Sequence, residues 1–483
     1  MGAAGPLLLL AAALALGTAS GCGSSRPSPG ARALRAGGDW LRFGYDAARR
    51  NVGPASTGIN AGNVSRLRRQ QVRLPGTADS SPIYLRGAIV RGRRHDVFVV
   101  TTSYGKTITV DAASGSILWT FTPSRYASWA GSDRITNATP LVPPSRRFVY
   151  AVAPDGRIHK LRLGSGAEVR AGGWPVTITR LPAREKIGPA LNYSRGLVLA
   201  TTGGFLGDVP PYQGHVVATS AASGRIVHVW NALCSDRRGL LQPRACPETG
   251  AAIWGRSGVV VDPRRGRLFV ATGDGRFDGK RHWGDSVLML SRDAGRLLRS
   301  WTPRDHAALD SGDADLGSTA PALLSPTLAA QSGKDGKLRL LRLRSLGGGL
   351  GRVGGELQTI AAPGGDGVFS TIAVWRARGV VRLFVGTGSA TWGYVLRGGR
   401  LRVAWRRTEA GTSPVLAGGL LYVYDPGGGL NVLRPASGRL VARLPAGGGH
   451  WNSPIVTDGR IALPEGDAND HRTSGTLNIF RLR

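Results

Sequence analysis

Three cysteines and two methionines in 483 residues leave this chain little sulfur chemistry, and Cys22, Cys234 and Cys246 complete no four-ligand metal pattern with nearby histidine. Acidic side chains are scarce as well. Thirty Asp and Glu (30) stand against 63 Lys and Arg, a formal charge of +33, and nearly all of the cations are arginine. The arginines are scattered, as at Arg49 and Arg50, Arg66, Arg68 and Arg69, or Arg237 and Arg238, with no basic arm and no interleaved aromatics, so no specific nucleic-acid partner is expected. Such a surplus speaks to solubility and to non-specific attraction for polyanions. HExxH, GxSxG and P-loop sequences are missing, which leaves nucleophilic and phosphate chemistry without support.

What the chain has in plenty is glycine (72) and proline (29), set between short runs of Val, Ile, Leu and Thr. This is turn-dense, all-β composition. One phrase recurs, as GKTITVDAASGSILWTF (Gly105 to Phe121), GHVVATSAASGRIVHVW (Gly214 to Trp230), DSVLMLSRDAGRLLRSW (Asp285 to Trp301) and GGLNVLRPASGRLVARL (Gly428 to Leu444). A second marker, a small residue or Pro before an apolar strand, occurs eight times, first at Pro82 and last at Pro454. With a middle strand and a trailing one, each unit holds four strands, the content of a propeller blade. A repeated unit buries its apolar face only against a neighbouring copy, so a single ring of eight blades is expected. The last unit lacks a trailing strand, and Leu67 to Leu74 is expected to supply it and close the ring.

Met1 to Ser20 is an apolar stretch short for a bilayer span, followed by Ser/Pro/Gly-rich sequence, and reads as a signal peptide. Ala19-Ser20-Gly21-Cys22 resembles a bacterial lipobox, in which Cys22 would be lipidated; plain secretion and an uncleaved anchor are the alternatives. The expected organisation is a signal over 1–22, a flexible linker over 23–38 and a propeller over 39–483, in an extracytoplasmic, membrane-anchored or secreted protein. In that oxidising compartment Cys234 and Cys246 are expected to form a disulfide, with a metal site as the rival reading. The four blade-end tryptophans, Trp119, Trp230, Trp301 and Trp405, are expected to pack between blades.

The lead-in DWLRFGYDAARRNVGPASTGINAGNVSRL, the DAASGSILWTF-type blade ends, AIWGRSGVVVDPRRGRLFVATGDG and WTPRDHAALDSGDADLGSTAPALL together resemble the pyrroloquinoline-quinone-type propellers, shared by quinoprotein alcohol dehydrogenases and an outer-membrane assembly lipoprotein. The resemblance implies a quinone held over calcium, with an Asp as general base. Carried over position by position, it makes Asp274 of Thr272-Gly273-Asp274 a calcium ligand, Asp313 the base, and Lys334 and Trp254 quinone contacts. It also puts Phe205 where the family has a Glu ligand, with the nearest carboxylate, Asp208, displaced; calcium wants six to eight oxygens, and Phe205 offers none. The adjacent-cysteine pair of many such enzymes is absent.

Two further patterns have alternative readings. Asp274, Asp278 and Asp285 imitate part of an EF-hand loop or shape a β-turn. Asp310, Asp313 and Asp315 bind a cation, supply the base, pair with the surplus arginines or are simply solvated. The expectation drawn from all this is a non-catalytic cell-envelope β-propeller, monomeric, tethered to the membrane through Cys22. It would serve as a binding or scaffold module for an envelope protein or an anionic cell-wall polymer, without cofactor. The alternative is a divergent dehydrogenase dependent on pyrroloquinoline quinone (PQQ) and calcium.

Overall fold

The repeat phrase folds as its alternation dictates. In the third strand of a unit, such as Thr107–Asp111, every side chain is buried, whereas the fourth, such as Ile117–Phe121, buries Trp119 and leaves its other residues exposed or half-exposed. A strand with sheets packed on both its faces buries everything, while one at the outer edge buries every second residue. The turn between them carries glycine at positive φ. At Gly438 (φ +70°) a Cβ would also lie 2.6 Å from the Trp405 ring of the preceding unit. Glycine is needed there twice over, for the left-handed backbone and for the indole that rests on it. Trp405 donates from Nε1 to the Pro435 carbonyl at 3.0 Å, and Trp119 repeats the arrangement over Gly166, donating to the Leu163 carbonyl at 2.9 Å. Trp230 and Trp301 are buried in apolar clusters shared by neighbouring units.

The computed structural model describes residues 1–2, 37–205, 207–346 and 350–482; the apolar leader, Cys22 and nearly all of the linker lie outside the described residues. Eight antiparallel sheets follow one another along the chain, over 83–121, 141–177, 192–231, 260–301, 322–361, 373–407, 415–444 and 455–481, and form blades 1 to 8 of an all-β propeller. Seven have four strands. Blade 2 departs from the expectation: its inner edge is reduced to the single bridge Leu141–Tyr150 beside a three-stranded sheet. Pro143 and Pro144 follow at once and have no N–H to extend that ladder. In blade 8 the outer strand is Arg68–Leu74, paired antiparallel with Gly475–Arg481 from Arg68 opposite Arg481 to Leu74 opposite Gly475.

Residues ahead of that strand have a task of their own. The lead-in runs across the inner strands and hydrogen-bonds blade after blade: Trp40 to Tyr84 in blade 1, Leu41 to Val142 in blade 2, Ala47 to Val261 in blade 4, Arg50 to Val374 in blade 6 and Asn51 to Leu416 in blade 7. Arg49, 2% exposed, donates to the carbonyls of Phe43, Ala190 and Leu191 and so ties the lead-in to blade 3. The Cys234–Cys246 disulfide is formed, with a Cα–Cα distance of 6.1 Å. Its loop is joined to the segment 274–285 by Ser235, whose amide donates to the Arg281 carbonyl (3.0 Å) and whose hydroxyl accepts from Trp283 Nε1 (2.8 Å).

Candidate ligand-binding site

Loops at the ends of the inner strands enclose a cavity of about 760 Å³ on the side of the ring where Trp254 and Trp451 lie. Six residues singled out from the sequence line it together: Phe205, Trp254, Asp274, Asp313, Asp315 and Lys334. They come from blades 3, 4 and 5 and from the connections that lead into blades 4 and 5. Asp208, the carboxylate displaced from the Glu-ligand position, lines it too.

The acidic side of the cavity rests on a close backbone approach. A Cβ on Gly273 would lie 1.8 Å from Asp315 Oδ1, so only glycine lets that carboxylate reach the turn, where it accepts from the Asp274 amide at 2.8 Å. Oxygens of Asp274, Asp313 and Asp315 lie within 4.8 Å of one another. Lys334 occupies their midst, in hydrogen-bond contact with Asp313 and 2.5 Å from Asp315 Oδ2, with its ammonium 5.3 Å from the centre of the Trp254 ring. Burial and the neighbouring Asp315 push the Asp274 carboxyl well up, so it keeps its proton. Burial would raise Asp315 too, but the bond from Asp274 and the Lys334 charge outweigh it and hold Asp315 ionised. Lys334 loses to burial and gains more from Asp315 and Asp313, so it is held firmly charged. Behind this group Asp285 is 1% exposed; Oδ1 accepts from the Leu316 amide at 2.9 Å, Oδ2 has no partner among the described residues, and burial raises its carboxyl to about 8.

The EF-hand-like reading does not survive this geometry. Asp278 spends Oδ1 on the amides of Lys280, Arg281 and His282 at 2.8–2.9 Å, which folds the turn, and Asp285 faces Leu316. Asp310 accepts from the Gly275 amide at 2.6 Å. These carboxylates shape backbone and do not converge on a point.

The opposite side was not legible as a site. A short ribbon, Glu185–Lys186 paired with Gly203–Gly204, carries Lys186 and Phe205 to the cavity. Its anchor is fully buried: Glu185 accepts from Thr179 and from the Gln213 amide and lies 3.1 Å from His215 Nε2, while His215 Nδ1 lies 2.7 Å from Asn231 Oδ1. Burial opposes charge on His215, but Glu185 beside it prevails and its pKa is raised. Arg256, two residues after Trp254, is 4% exposed. Its Nη1 donates to the carbonyls of Asp79 (3.2 Å) and Asn137 (3.0 Å), bridging the segment that leads into blade 4 to those that lead into blades 1 and 2. Asp79 is buried and receives Asn137 Nδ2 (2.7 Å) and the Trp451 amide (2.8 Å), with His450 Nδ1 2.9 Å away. Burial would raise its carboxyl; His450 and Arg256 overcome this and hold it below the usual range. His450 stacks on Trp451 with ring centres 4.3 Å apart, and Trp451 faces Trp254 at 5.9 Å. The only sequence signal was that Lys186 and Lys334 are lysines in an arginine-rich chain.

These residues do not fit a calcium ion. The Lys334 ammonium bonds the carboxylates of both Asp313 and Asp315, and Phe205 stands on the cavity wall without an oxygen to offer.

No protein-family model matches this sequence, and no curated protein sequence does. Solved structures do match in fold. A quinohemoprotein alcohol dehydrogenase from Comamonas testosteroni superposes with a TM-score of 0.67 at 17% identity, covering 93% of this chain and 82% of its own. One from Pseudomonas putida gives 0.68 at 14%, covering 92% and 80%. A europium-containing methanol dehydrogenase gives 0.68 at 15%, covering 92% and 98%. The chain has the eight-bladed, PQQ-type propeller fold of the quinoprotein alcohol dehydrogenases. At such identities the likeness concerns the fold alone.

Proposed function

We propose that this chain is a non-catalytic binding propeller of the cell envelope, monomeric and held at the membrane by a lipid on Cys22. Its partner, an envelope protein or an anionic cell-wall polymer, docks on the loops around the cavity, where the Cys234–Cys246 insert and the segment 274–285 are joined. The observation that carries the non-catalytic reading is Lys334 seated on Asp313 and Asp315. A general base must be free to take a proton, and an ion pair with a lysine lowers the basicity that the task needs.

The second reading, a divergent quinoprotein dehydrogenase, draws on the convergence of Trp254, Asp274, Asp313 and Lys334 at one cavity. In that reading Asp313, whose side chain is 73% exposed, would take the proton and Lys334 would hold the oxidant. One experiment separates the two: purified protein lacking its first 22 residues is mixed with calcium and PQQ, and heat stability is followed together with dye-linked alcohol oxidation. The binding-module reading expects no turnover and no calcium-dependent rise in Tm. Stabilisation with turnover would overturn it, because a ligand bound by the native state alone must stabilise that state.

A further inference from the structure

A buried guanidinium with idle nitrogens is costly, because each N–H removed from water without a partner loses its hydrogen bond. Arg256 is such a group. Nη1 is occupied by the Asp79 and Asn137 carbonyls, but Nε and Nη2 have no partner among the described residues. These two nitrogens form one edge of the guanidinium, the side-on fork that matches the two oxygens of a carboxylate or phosphate.

A second cation stands beside it. Lys186 lines the same cavity, and its ammonium makes no hydrogen bond or ion pair among the described residues. Both charges flank one ring: the Lys186 ammonium is 5.9 Å and the Arg256 Cζ 6.0 Å from the centre of Trp451. The carboxylate nearest to them, Asp79, has both oxygens taken, by Asn137, His450 and the Trp451 amide. Phe43 of the lead-in also lies against the guanidinium, its ring centre 5.5 Å from Cζ, and Arg256 is one of the residues that line the cavity. Trp451 and Trp254 together offer an apolar surface next to the two cations.

We infer that this side of the cavity is an oxyanion site, in which Arg256 and Lys186 bind the carboxylate or phosphate of a small ligand whose flat apolar part lies against Trp451 and Trp254. The site goes beyond the docking of a macromolecular partner on the rim and stands or falls separately from it. Burial lowers the Lys186 ammonium to about 8; Asp79, Asp208 and Asp467 favour its charge and Arg256 opposes it. An oxyanion adds to the favourable side, so binding is strongest below about pH 8 and weakens above it as the ammonium is lost.

The test uses the full chain, titrated calorimetrically with benzoate, phenyl phosphate and inorganic phosphate, with benzamide as the neutral counterpart of benzoate. Saturable binding of benzoate or phenyl phosphate but not of benzamide is expected, falling as the buffer goes from about pH 7 to about pH 9. Lys186→Met, and Arg256→Lys, which keeps the charge and removes the fork, are each expected to weaken it about tenfold or more. Binding of benzoate identifies a carboxylate ligand, and binding of phenyl phosphate alone a phosphate ester. Inorganic phosphate binding as tightly as phenyl phosphate overturns the ring-bearing part of the assignment. Benzamide binding as well as benzoate, absence of saturable anion binding, or a Lys186→Met protein that folds and binds unchanged overturns the site. Alcohol oxidation in the presence of calcium and PQQ would sink the non-catalytic reading and leave these outcomes as they are.

Discussion

The two sides of the central cavity carry charges of similar kinds and use them in opposite ways. Around Asp274, Asp313 and Asp315 each carboxyl finds a partner within the protein: Lys334 bonds two of the carboxylates, and the third, Asp274, is raised by burial and by its bond to Asp315. Around Trp451 two cations lie 5.9 and 6.0 Å from the ring centre, and the Lys186 ammonium and one whole edge of Arg256 have no hydrogen-bond partner among the described residues. A cluster of ionisable groups marks a binding site when its own residues leave it incomplete, and the acidic side, which the sequence made conspicuous, is the complete one.

Breaking the pairing on the acidic side gives the largest expected effect. Lys334→Met leaves Asp315, nearly inaccessible to water, without its counter-charge, and a loss of about 3 kcal/mol in urea unfolding at neutral pH is expected. The same variant should gain affinity for calcium, read as a calcium-dependent rise in Tm that the parent protein lacks. A loss well below about 1 kcal/mol would mean that protonation alone neutralises the three acids, and the contrast between the two sides would weaken.

An intermediate effect is expected at Asp285, whose carboxyl is raised to about 8 in the folded protein. A group with its folded pKa above the unfolded one contributes stability fully below the unfolded pKa, about 4, and that contribution is lost as pH rises through about 8. Asp285→Asn keeps the acceptor for the Leu316 amide and cannot ionise. Between about pH 5 and about pH 8 the parent protein should therefore lose at least about 1 kcal/mol relative to the variant, measured as the difference between their urea midpoints. A pH-independent difference would show that Asp285 is already ionised in the folded state.

The smallest effect is expected from Lys186→Met. An ammonium with no hydrogen-bond or ion-pair partner among the described residues contributes little to folding, so the stability change should stay within about 0.5 kcal/mol. A loss comparable to that of Lys334→Met would reveal a structural partner for Lys186 and erase the difference between the two sides.

Much of the architecture was legible because its signals are local. Alternating strands, the glycine turns under Trp119 and Trp405 and the marker before each inner strand all lie within one unit, and eight repetitions average out irregularities. Blade 2 escaped the four-strand rule through Pro143 and Pro144, a breaker visible in the sequence whose effect depended on which neighbour the strand had to pair with. Among the site residues, Trp254, Asp274, Asp313 and Lys334 were found through a resemblance of short motifs, and the structure places all four at one cavity. Lys186 and Arg256 belonged to no pattern. Their significance depends on missing partners, and a missing partner is a property of three-dimensional surroundings.

Composition and period alone determined that this chain is an all-β ring of eight units and that Cys234 and Cys246 stand close enough in sequence to close a short loop. Only the tertiary structure decided which charges meet. His450 reaches Asp79 across 371 positions, and Arg256 bridges to Asp79 and Asn137 across 177 and 119. Blade formation follows from the order of apolar and polar residues along a few strands, whereas an ion pair or an idle guanidinium edge is settled by fractions of an ångström between residues that closure of the ring brings together.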